Sequence, residues 1–464
     1  MDNDVKDKKE QRRQYILTAP LMPLLVKMAV PTVIGMLVMI LYNLTDTFFI
    51  AMLGNKSMTA AIGIAFSFIS VIQAIGFWLG YGSGNAMSRS LGEGKYNEAE
   101  SFASMAAVTA VFSGVILAVI SSIFLSPLSL FIGGAASDNL YIFTKEYLKV
   151  IVISIPFMLF SLVIYNQLRL CGNVGDGMKG LLSGMIVNIV LDPVFMFGLK
   201  MGFIGAAYAT LTGQIIGSLV LFRLIRKNGN IPISFKKVKF TKDNIYHILI
   251  GGLPNFARQG IASLSMVLLN ISASGFGEDV VAAITVSSKI SVIAYMIVIG
   301  WGQGFQPVCA MNYGAKQYDR VKKAFKYTVK AGTIFLIISS ICLYIFAKFP
   351  VMALSRNTEV IEISVIILRA QCLSLPLMGY FATSSMLMQN TGRYYLSLII
   401  SISRQGIFYI PLLFLLPLVF GQWGIYLIQP VSDIAAFILA MLIVKNRATY
   451  RKSLPKKPFH IEFL

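Results

Sequence analysis

The sequence predicts an all-α integral membrane protein, with twelve transmembrane helices in two homologous six-helix bundles around a central cleft. Three observations lead to this prediction: the composition, the distribution of charge between apolar runs, and an internal repeat. Of the 464 residues, 56% are hydrophobic and only 13% are charged, which is too little charge to cover a soluble protein of this size. Apolar runs of about 20 residues or more, each long enough to cross a bilayer core, recur along the chain.

The apolar runs form two sets of six. The predicted spans of the first set are 21–52, 57–90, 97–126, 138–171, 177–199 and 202–227. Those of the second set are 243–273, 280–312, 318–349, 357–389, 394–419 and 422–445. The domain organisation that follows is a cytoplasmic segment 1–20, an N-terminal six-helix lobe 21–227, a cytoplasmic linker 228–242, a C-terminal six-helix lobe 243–446 and a cytoplasmic tail 447–464.

Basic residues are concentrated in alternate segments between the spans. Lysine and arginine are dense in 6–13, 223–242, 316–326 and 445–457, and sparse in the segments between them. This alternation is typical of a membrane protein whose basic loops face the cytoplasm, so both termini are predicted to be cytoplasmic. The net charge of +20 therefore indicates topology and attraction to anionic lipid, rather than nucleic-acid binding.

The second half of the chain repeats the first. The matched pairs are Pro31 with Pro254, Gly80 with Gly302, Gly82 with Gly304, Gly92 with Gly314, and Pro156 with Pro376. An even number of spans separates the copies, so both lobes have the same orientation and are related by an axis along the membrane normal. Rocking one lobe against the other would open the cleft between them to each side in turn. The repeat therefore favours a carrier over a membrane enzyme, a channel or a structural membrane protein.

Three acidic residues fall deep in predicted spans, namely Asp46, Asp192 and Asp433. A charge in the bilayer core is costly, so a buried acid is by default a functional hypothesis. Asn188 lies one helical turn before Asp192 on the same face, and Thr210 is the nearest deep hydroxyl on a neighbouring span. A carboxylate with amide and hydroxyl oxygens suits Na⁺, whereas a carboxylate alone suits a proton. The alternative is a pair of permanently neutral, hydrogen-bonded acids.

Enzyme signatures are missing from the sequence. It contains no nucleophile elbow, no HExxH and no CxxC. The two histidines, His247 and His460, fall at a membrane edge and in the tail, and the four cysteines are scattered without the spacing of metal ligands. We therefore expect neither catalytic residues nor a cofactor, apart from a transported coupling ion.

Several segments together resemble one family of transporters. They are LLVKMAVPTVIGM and YNLTDTFFIAMLG in the first span, the glycine-rich end of the second, NIVLDPVFMFG followed by GFIGAA, and the repeated IPF/LPL. Their order and the twelve-span frame resemble the multidrug and toxic compound extrusion (MATE) family, in its DinF-like or MepA-like bacterial branch. The resemblance extends from about residue 20 to residue 446.

This resemblance implies a function and a site. The function is a secondary active antiporter that exports amphipathic, often cationic, small molecules in exchange for H⁺ or Na⁺ by alternating access. The implied cation site comprises Asp46, Asn188, Asp192 and Thr210. The resemblance also implies a monomer in the bacterial cytoplasmic membrane, whose partners are its small-molecule substrate and membrane lipid.

The C-terminal half departs from another branch of that family. The NorM-like branch uses acids in the seventh and tenth spans, where this chain has none. Arg258, Arg369 and Arg404 instead lie near mid-span. Because an arginine binds carboxylate or phosphate as a planar fork, they could contact an anionic or zwitterionic substrate group. This keeps open a second function, a flippase for a lipid-linked or anionic precursor. Alternatively, Asp433 and backbone carbonyls neutralise the arginines internally.

The wall of the cleft is expected to come from the first, second, seventh and eighth spans. The candidate lining residues are Met36, Met39, Tyr42, Phe66, Gln73, Trp78, Tyr295, Met296 and Gln303, together with the three arginines. Flexible methionines and broad aromatic faces suit the binding of diverse ligands. The alternative for each of them is a position facing lipid or packed in the core.

Overall fold

The structure, a computed structural model, describes residues 2–227 and 229–449. Within that range, the side chains of residues 2–6, 40–44, 47, 136 and 446–449 are not described. The described residues are almost entirely helical and contain no strand. The predicted all-α class is therefore confirmed.

Within the described residues, the first half contains a short N-terminal helix, six long helices and a shorter one after the third span. These are α1 (Asp2–Thr18), α2 (Leu21–Ala51), α3 (Lys56–Gly92), α4 (Tyr96–Ile123), α5 (Leu125–Phe131), α6 (Asp138–Leu170), α7 (Val174–Pro193) and α8 (Phe203–Ile225). The prediction treated 1–20 as a cytoplasmic segment, and most of that segment forms α1.

The second half repeats this pattern. Its helices are α9 (Lys242–Ser274), α10 (Glu278–Gly314), α11 (Tyr318–Ile345), α12 (Lys348–Leu354), α13 (Thr358–Ser374), α14 (Met378–Asn390), α15 (Tyr394–Ile402), α16 (Tyr409–Phe420) and α17 (Gln422–Thr449). The repeat is visible in the lengths, because α3 and α10 each have 37 residues and α4 and α11 each have 28.

Eleven helical segments of the described residues are long and apolar enough to cross a membrane. The twelfth predicted span is α9, which has 33 residues but more polar side chains than the others. By the internal repeat, α9 is the counterpart of α2. The twelve-helix, two-bundle fold is thus confirmed, and the protein is a multi-span membrane protein.

Three spans in the structure are interrupted near polar residues. The span of α7 continues into a wide turn, Val194–Gly198, directly after Pro193. A tight turn at Leu375–Leu377, which contains Pro376, separates α13 from α14. A second wide turn, Ser403–Ile407, separates α15 from α16. Proline lacks an N–H and its ring crowds the carbonyl four residues earlier, which explains the interruption at Pro376.

The two lobes approach most closely at the end of the bundle that carries α1. A Cβ atom added to Gly82 of α3 would lie 1.8 Å from the carbonyl oxygen of Ile248 in α9. A Cβ added to Gly252 of α9 would lie 1.8 Å from the carbonyl oxygen of Trp78. Only glycine allows backbones to pass this closely. These helices therefore close the cleft at this end.

Helix α1 lies across the same end and contacts both lobes. In the N-terminal lobe, Arg13 donates to the Gly92 carbonyl at 3.0 Å. In the C-terminal lobe, Arg320 donates to the Ala19 carbonyl at 2.7 Å, directly after α1. The largest cluster of buried apolar side chains joins Ile16 of α1 to residues of both lobes. The main core thus lies between the lobes, on the side of α1.

Candidate ion and substrate sites

Four polar residues predicted to form a cation site meet inside the N-terminal lobe. Asp46 comes from α2, Asn188 and Asp192 from α7, and Thr210 from α8. All four are buried; Asp192 is 0% exposed and Asp46 is 9% exposed. The spacing of Asn188 and Asp192 by one turn directs both toward α2 and α8, because residues four apart share a helix face.

The side-chain amide of Asn188 connects the other three residues. With its nitrogen toward Asp46, it donates to Asp46 Oδ1 at 3.0 Å, and its oxygen accepts from Thr210 N at 3.1 Å and Thr210 Oγ1 at 3.2 Å. In the opposite orientation, its nitrogen donates to Asp192 Oδ1 at 3.4 Å. The amide therefore lies within hydrogen-bonding reach of both carboxyl groups.

The two carboxyl groups lie in hydrogen-bonding contact with each other. Asp192 Oδ2 is buried and has no hydrogen-bond partner. Among the described residues, no lysine or arginine forms an ion pair with Asp192. Two adjacent carboxylates repel one another unless a proton or a cation neutralises them. Asp192 thus lies against a second carboxyl group without a basic partner among the described residues.

Tyr147 is a neighbour of this site that the sequence analysis did not identify. It lies on α6, is 1% exposed, and its hydroxyl is in hydrogen-bonding contact with Thr210. A tyrosine within an apolar span carries no sequence signal that separates a site residue from a packed one. Only the packing of α6 against α8 shows that Tyr147 reaches Thr210.

A cavity of about 230 Å³ adjoins the acidic site. Asn188 and Thr210 form part of its wall, so the cavity and the acids share side chains. The other walls mix apolar and amide side chains, including Met39, Phe66, Gln73, Phe77, Met185 and Gln214. Three of the predicted cleft residues, Met39, Phe66 and Gln73, thus line one cavity next to the acids.

A second cavity, of about 160 Å³, lies in the C-terminal lobe. Its wall includes Tyr295, Arg404 and Asp433. Arg404 Nε donates to Asp433 Oδ1 at 2.7 Å, within an ion pair that is largely buried. Asp433, the third deep acid of the sequence, is therefore paired with an arginine inside the protein. For Arg404, this agrees with the alternative in which Asp433 neutralises the C-terminal arginines.

The other two arginines lie outside both cavities. Arg369 is exposed and donates to the carbonyl of Tyr344 on α11 at 3.2 Å, with its guanidinium over the Tyr344 ring. Arg258 is half-buried on α9. The structure therefore does not bring the three arginines into one charged pocket. The long side chain of Arg369 reaches outward, which avoids burying its charge.

Two predicted cleft residues lie where the lobes are in contact. The Trp78 ring stacks on Phe256 at 4.7 Å between centroids, and its indole nitrogen donates to the Leu249 carbonyl at 2.6 Å. Gln303 is 3% exposed, and its backbone carbonyl accepts from Arg169 at 3.1 Å. Both residues bridge the lobes at the closed end in this structure.

Three cleft candidates remain. Two of them line neither cavity, and the side chain of the third is not described. Met36 is almost fully buried on α2, and Met296 is half-buried on α10. The side chain of Tyr42 lies outside the described residues.

Arg169 is a second functional candidate that the sequence analysis missed. It is 0% exposed and donates from α6 to Gln306 Oε1 of the other lobe at 2.7 Å. Its other terminal nitrogen donates to Asn166 at 3.0 Å. Because it lies at the end of a span, the sequence suggests an ordinary cytoplasmic arginine. In the structure, it forms a buried polar contact across the lobes.

Comparison with known proteins places this geometry in a family. A family model described as MatE matches residues 31–194 and again residues 254–415. The two matches fall in the two lobes and together cover more than half of the chain.

Relatives and solved structures match over nearly the full length. The multidrug export protein MepA of Staphylococcus haemolyticus (strain JCSC1435) is 26% identical over 449 residues, which are 96% of this chain and 98% of that protein. MepA of Staphylococcus aureus (strain MSSA476) is 24% identical over 437 residues, 94% and 96% of the two chains. The structure of a MOP superfamily transporter from Pyrococcus furiosus superposes with a TM-score of 0.88 at 24% identity, and covers 95% of this chain and 98% of that one.

Proposed function

The chain belongs to the MatE family of multidrug and toxic compound extrusion transporters, and on this basis we propose that it is an antiporter. It exports amphipathic small molecules, cationic ones above all, in exchange for H⁺ or Na⁺ by alternating access. It acts as a monomer in the cytoplasmic membrane of a bacterium, with both termini in the cytoplasm.

The observation that carries this proposal is the pair of buried acids in the N-terminal lobe. Asp46 and Asp192 are in contact, and no basic residue of the described chain forms an ion pair with Asp192. In a low-dielectric interior, such a pair is stable only when it holds a proton or a metal ion. Carboxylate oxygens, the Asn188 amide oxygen and the Thr210 hydroxyl are hard oxygen ligands, which suit Na⁺ as well as H⁺. The coupling ion is therefore expected to bind here.

Helix α2 offers a path from this ion to the movement of the lobes. It carries Asp46, and one of its other faces contacts the C-terminal lobe. There Thr32 Oγ1 donates to the Gly300 carbonyl at 2.7 Å. Ala29 packs so closely on Gly304 that a Cβ atom added to Gly304 would lie 2.5 Å from the Cα of Ala29. A change of charge at Asp46 therefore acts on the same helix that holds the lobes together. Binding or release of the cation would shift the population of the closed state.

The substrate class is inferred from the cavity beside the acids. Methionine and phenylalanine side chains occur there together with glutamine amides, which is a surface suited to amphipathic ligands of varied shape. Because the acids adjoin this cavity, a cationic substrate and the coupling ion compete for the same negative charge. The relatives named as multidrug export proteins are consistent with this class.

The flippase alternative receives less support from the geometry. It depends on three arginines that bind a phosphorylated headgroup together. Arg404 is paired with Asp433 and Arg369 is exposed, so Arg258 alone is left for such a contact. We therefore retain drug export as the proposed function.

The test is efflux of a cationic dye from proteoliposomes under an imposed Na⁺ or pH gradient. We expect Asp46→Asn and Asp192→Asn each to abolish the dependence on the gradient. Asp138→Asn, at the exposed start of α6, is the matched control and should transport as the wild type does. Gradient-driven efflux that survives both site substitutions would refute the assignment of the ion site.

A further inference from the structure

The two cavities occupy equivalent places in the two lobes. Gly202, before α8, has φ 58° and ψ −138°, and Gly421, before α17, has φ 54° and ψ −134°. These nearly identical backbones, 219 positions apart in the sequence, align α8 with α17. At the same separation, Thr210 and Gln214 of the first cavity correspond to Gln429 and Asp433 of the second.

Other walls of the cavities correspond in the same way. At that separation, Met185 of the first cavity corresponds to Arg404 of the second. At the separation of 222 that relates α3 to α10, Gln73 corresponds to Tyr295. The C-terminal cavity is therefore the counterpart, within the repeat, of the cavity beside the proposed ion site.

The charges in the two cavities are arranged differently. Asp433 receives three hydrogen bonds: from Arg404 at 2.7 Å, from Gln429 at 2.6 Å and from Ser374 at 3.0 Å. Both of its carboxylate oxygens are thereby satisfied. Asp192, by contrast, has one buried oxygen without a partner. The acid of the second cavity thus already has a basic partner, whereas Asp192, beside the first cavity, has none among the described residues.

Arg404 is held in place by the irregular turn in which it lies. The backbone carbonyl of Arg404 accepts from Ser432 of α17, and its guanidinium lies 4.7 Å from the centre of the Tyr295 ring. Within the described residues, its Nε is the nitrogen that donates to Asp433. The turn thus directs a fixed positive charge onto one carboxylate.

We infer that the C-terminal cavity is a latent cation site whose cation is the guanidinium of Arg404. In this lobe a side chain neutralises the buried acid, a task that the proposed coupling ion performs for the acids of the other lobe. Consequently only the N-terminal lobe exchanges ions, and removal of Arg404 creates a second site for H⁺ or Na⁺ at Asp433. The first part of this inference rests on the proposed function; the second part, the new site, does not.

The experiment counts cations bound to the purified full-length protein. Wild type, Arg404→Gln, Arg404→Lys and the double variant Arg404→Gln/Asp433→Asn are compared. Binding of radioactive Na⁺ is measured directly, and protonated carboxyl groups are counted by infrared spectroscopy. We expect Arg404→Gln to hold one more cation per chain than wild type, as Na⁺ or as a new protonated carboxyl. Arg404→Lys and the double variant should match the wild type, because the first keeps a tethered cation and the second removes the acid.

A second measurement covers the case in which Arg404→Gln folds poorly. Its thermal stability is followed in NaCl, in choline chloride and at acid pH. We expect stability to recover selectively with Na⁺ or with acid, and the double variant to show no such dependence. An Arg404→Gln protein that holds the wild-type number of cations, or that neither cation stabilises, would overturn the inference.

The bound cations are also counted in an Asp46→Asn/Asp192→Asn background, which separates the proposed function from the proposed site at Asp433. The additional cation of Arg404→Gln should persist there, because it belongs to the other lobe. If those two acids prove irrelevant to transport, the proposed function fails, while the count at Asp433 still decides whether the latent site exists.

Discussion

Asp192 and Asp433 are both almost fully buried, at 0% and 2% exposed, yet their neighbours differ. Asp433 has an arginine and two neutral donors, whereas Asp192 has Asp46, Asn188 and an unpartnered oxygen. At the residue scale, Asp433 has a basic partner and Asp192 has none among the described residues, so Asp192 is the acid proposed to exchange its counter-charge. The Asn188 amide lies between the two carboxyl groups, within hydrogen-bonding reach of each.

Thr210→Val tests the neutral ligands of the proposed ion site. The substitution keeps the shape of the side chain and removes a hydroxyl that contacts Asn188. One lost hydrogen bond of about 1.5 kcal/mol corresponds to roughly a tenfold increase in the cation concentration for half-maximal efflux. Thr210→Ser should retain the wild-type value. Thr212→Val, on the same helix but with its hydroxyl bonded to the Tyr208 carbonyl, is the control. An unchanged half-saturation in Thr210→Val would remove Thr210 from the site.

The sequence predicted the members of this site better than their surroundings. Asp46 and Asp192 are noticeable because acids are rare in apolar spans, and the resemblance to a known family joined Asn188 and Thr210 to them. Tyr147 and Arg169 were not predicted, because a tyrosine in a span and an arginine at its end are both ordinary. Their roles depend on which helices pack together, which local patterns do not encode.

At the scale of the helices, the interrupted spans position two of the buried charged side chains. Arg404 lies inside the turn Ser403–Ile407, and Asp192 lies directly before Pro193 and the turn that follows it. The predicted spans 177–199 and 394–419 treat these stretches as continuous helix. Hydropathy does not reveal a wide turn, because the side chains in it remain apolar enough to be counted within the span. The short helices α5 and α12 were not predicted, because each begins at the end of a predicted span, 97–126 or 318–349, and continues beyond it.

Gly82→Ala tests the contact between α3 and α9. A Cβ at this position would lie 1.8 Å from the Ile248 carbonyl oxygen, so the helices must separate. We expect a loss of about 1–3 kcal/mol in the stability of the closed state, as for other overpacked contacts, and a lower midpoint of thermal unfolding. Gly63→Ala, in the same helix with nothing within 4 Å of the added atom, should leave the midpoint unchanged. Equal midpoints for both variants would show that the close approach of α3 and α9 is absent in solution.

At the scale of the whole molecule, the lobes share one architecture and differ in charge. Their common orientation follows from the even number of spans, and the internal repeat in the sequence was sufficient to predict it. The contact at the α1 end, through Arg169 and the glycines of α3 and α9, holds the cleft closed on the side predicted to face the cytoplasm. Alternating access requires that this contact break once in each cycle.

A short linker between the lobes tests that requirement. The exposed native cysteine, Cys342, is first replaced by serine. Cysteines are then introduced by Trp78→Cys and Phe256→Cys, and a short bifunctional thiol reagent joins them. The two rings are stacked at 4.7 Å across the lobes, so linking these positions should stop efflux, and cleavage of the linker should restore it. Phe160→Cys with Phe222→Cys, whose rings lie 6.3 Å apart within one lobe, is the control. Continued efflux with the lobes linked would contradict alternating access.

The most direct test of the account is reverse coupling in proteoliposomes. A gradient of the dye alone is imposed, without any gradient of Na⁺ or pH, and the movement of Na⁺ and H⁺ is recorded. We predict that the dye moving down its gradient drives one of these cations in the opposite direction in the wild type, and that Asp46→Asn/Asp192→Asn shows no cation movement. Dye transport by the wild type without counter-movement of either cation would contradict the proposed antiport. Cation movement that persists in the double variant would contradict the proposed ion site.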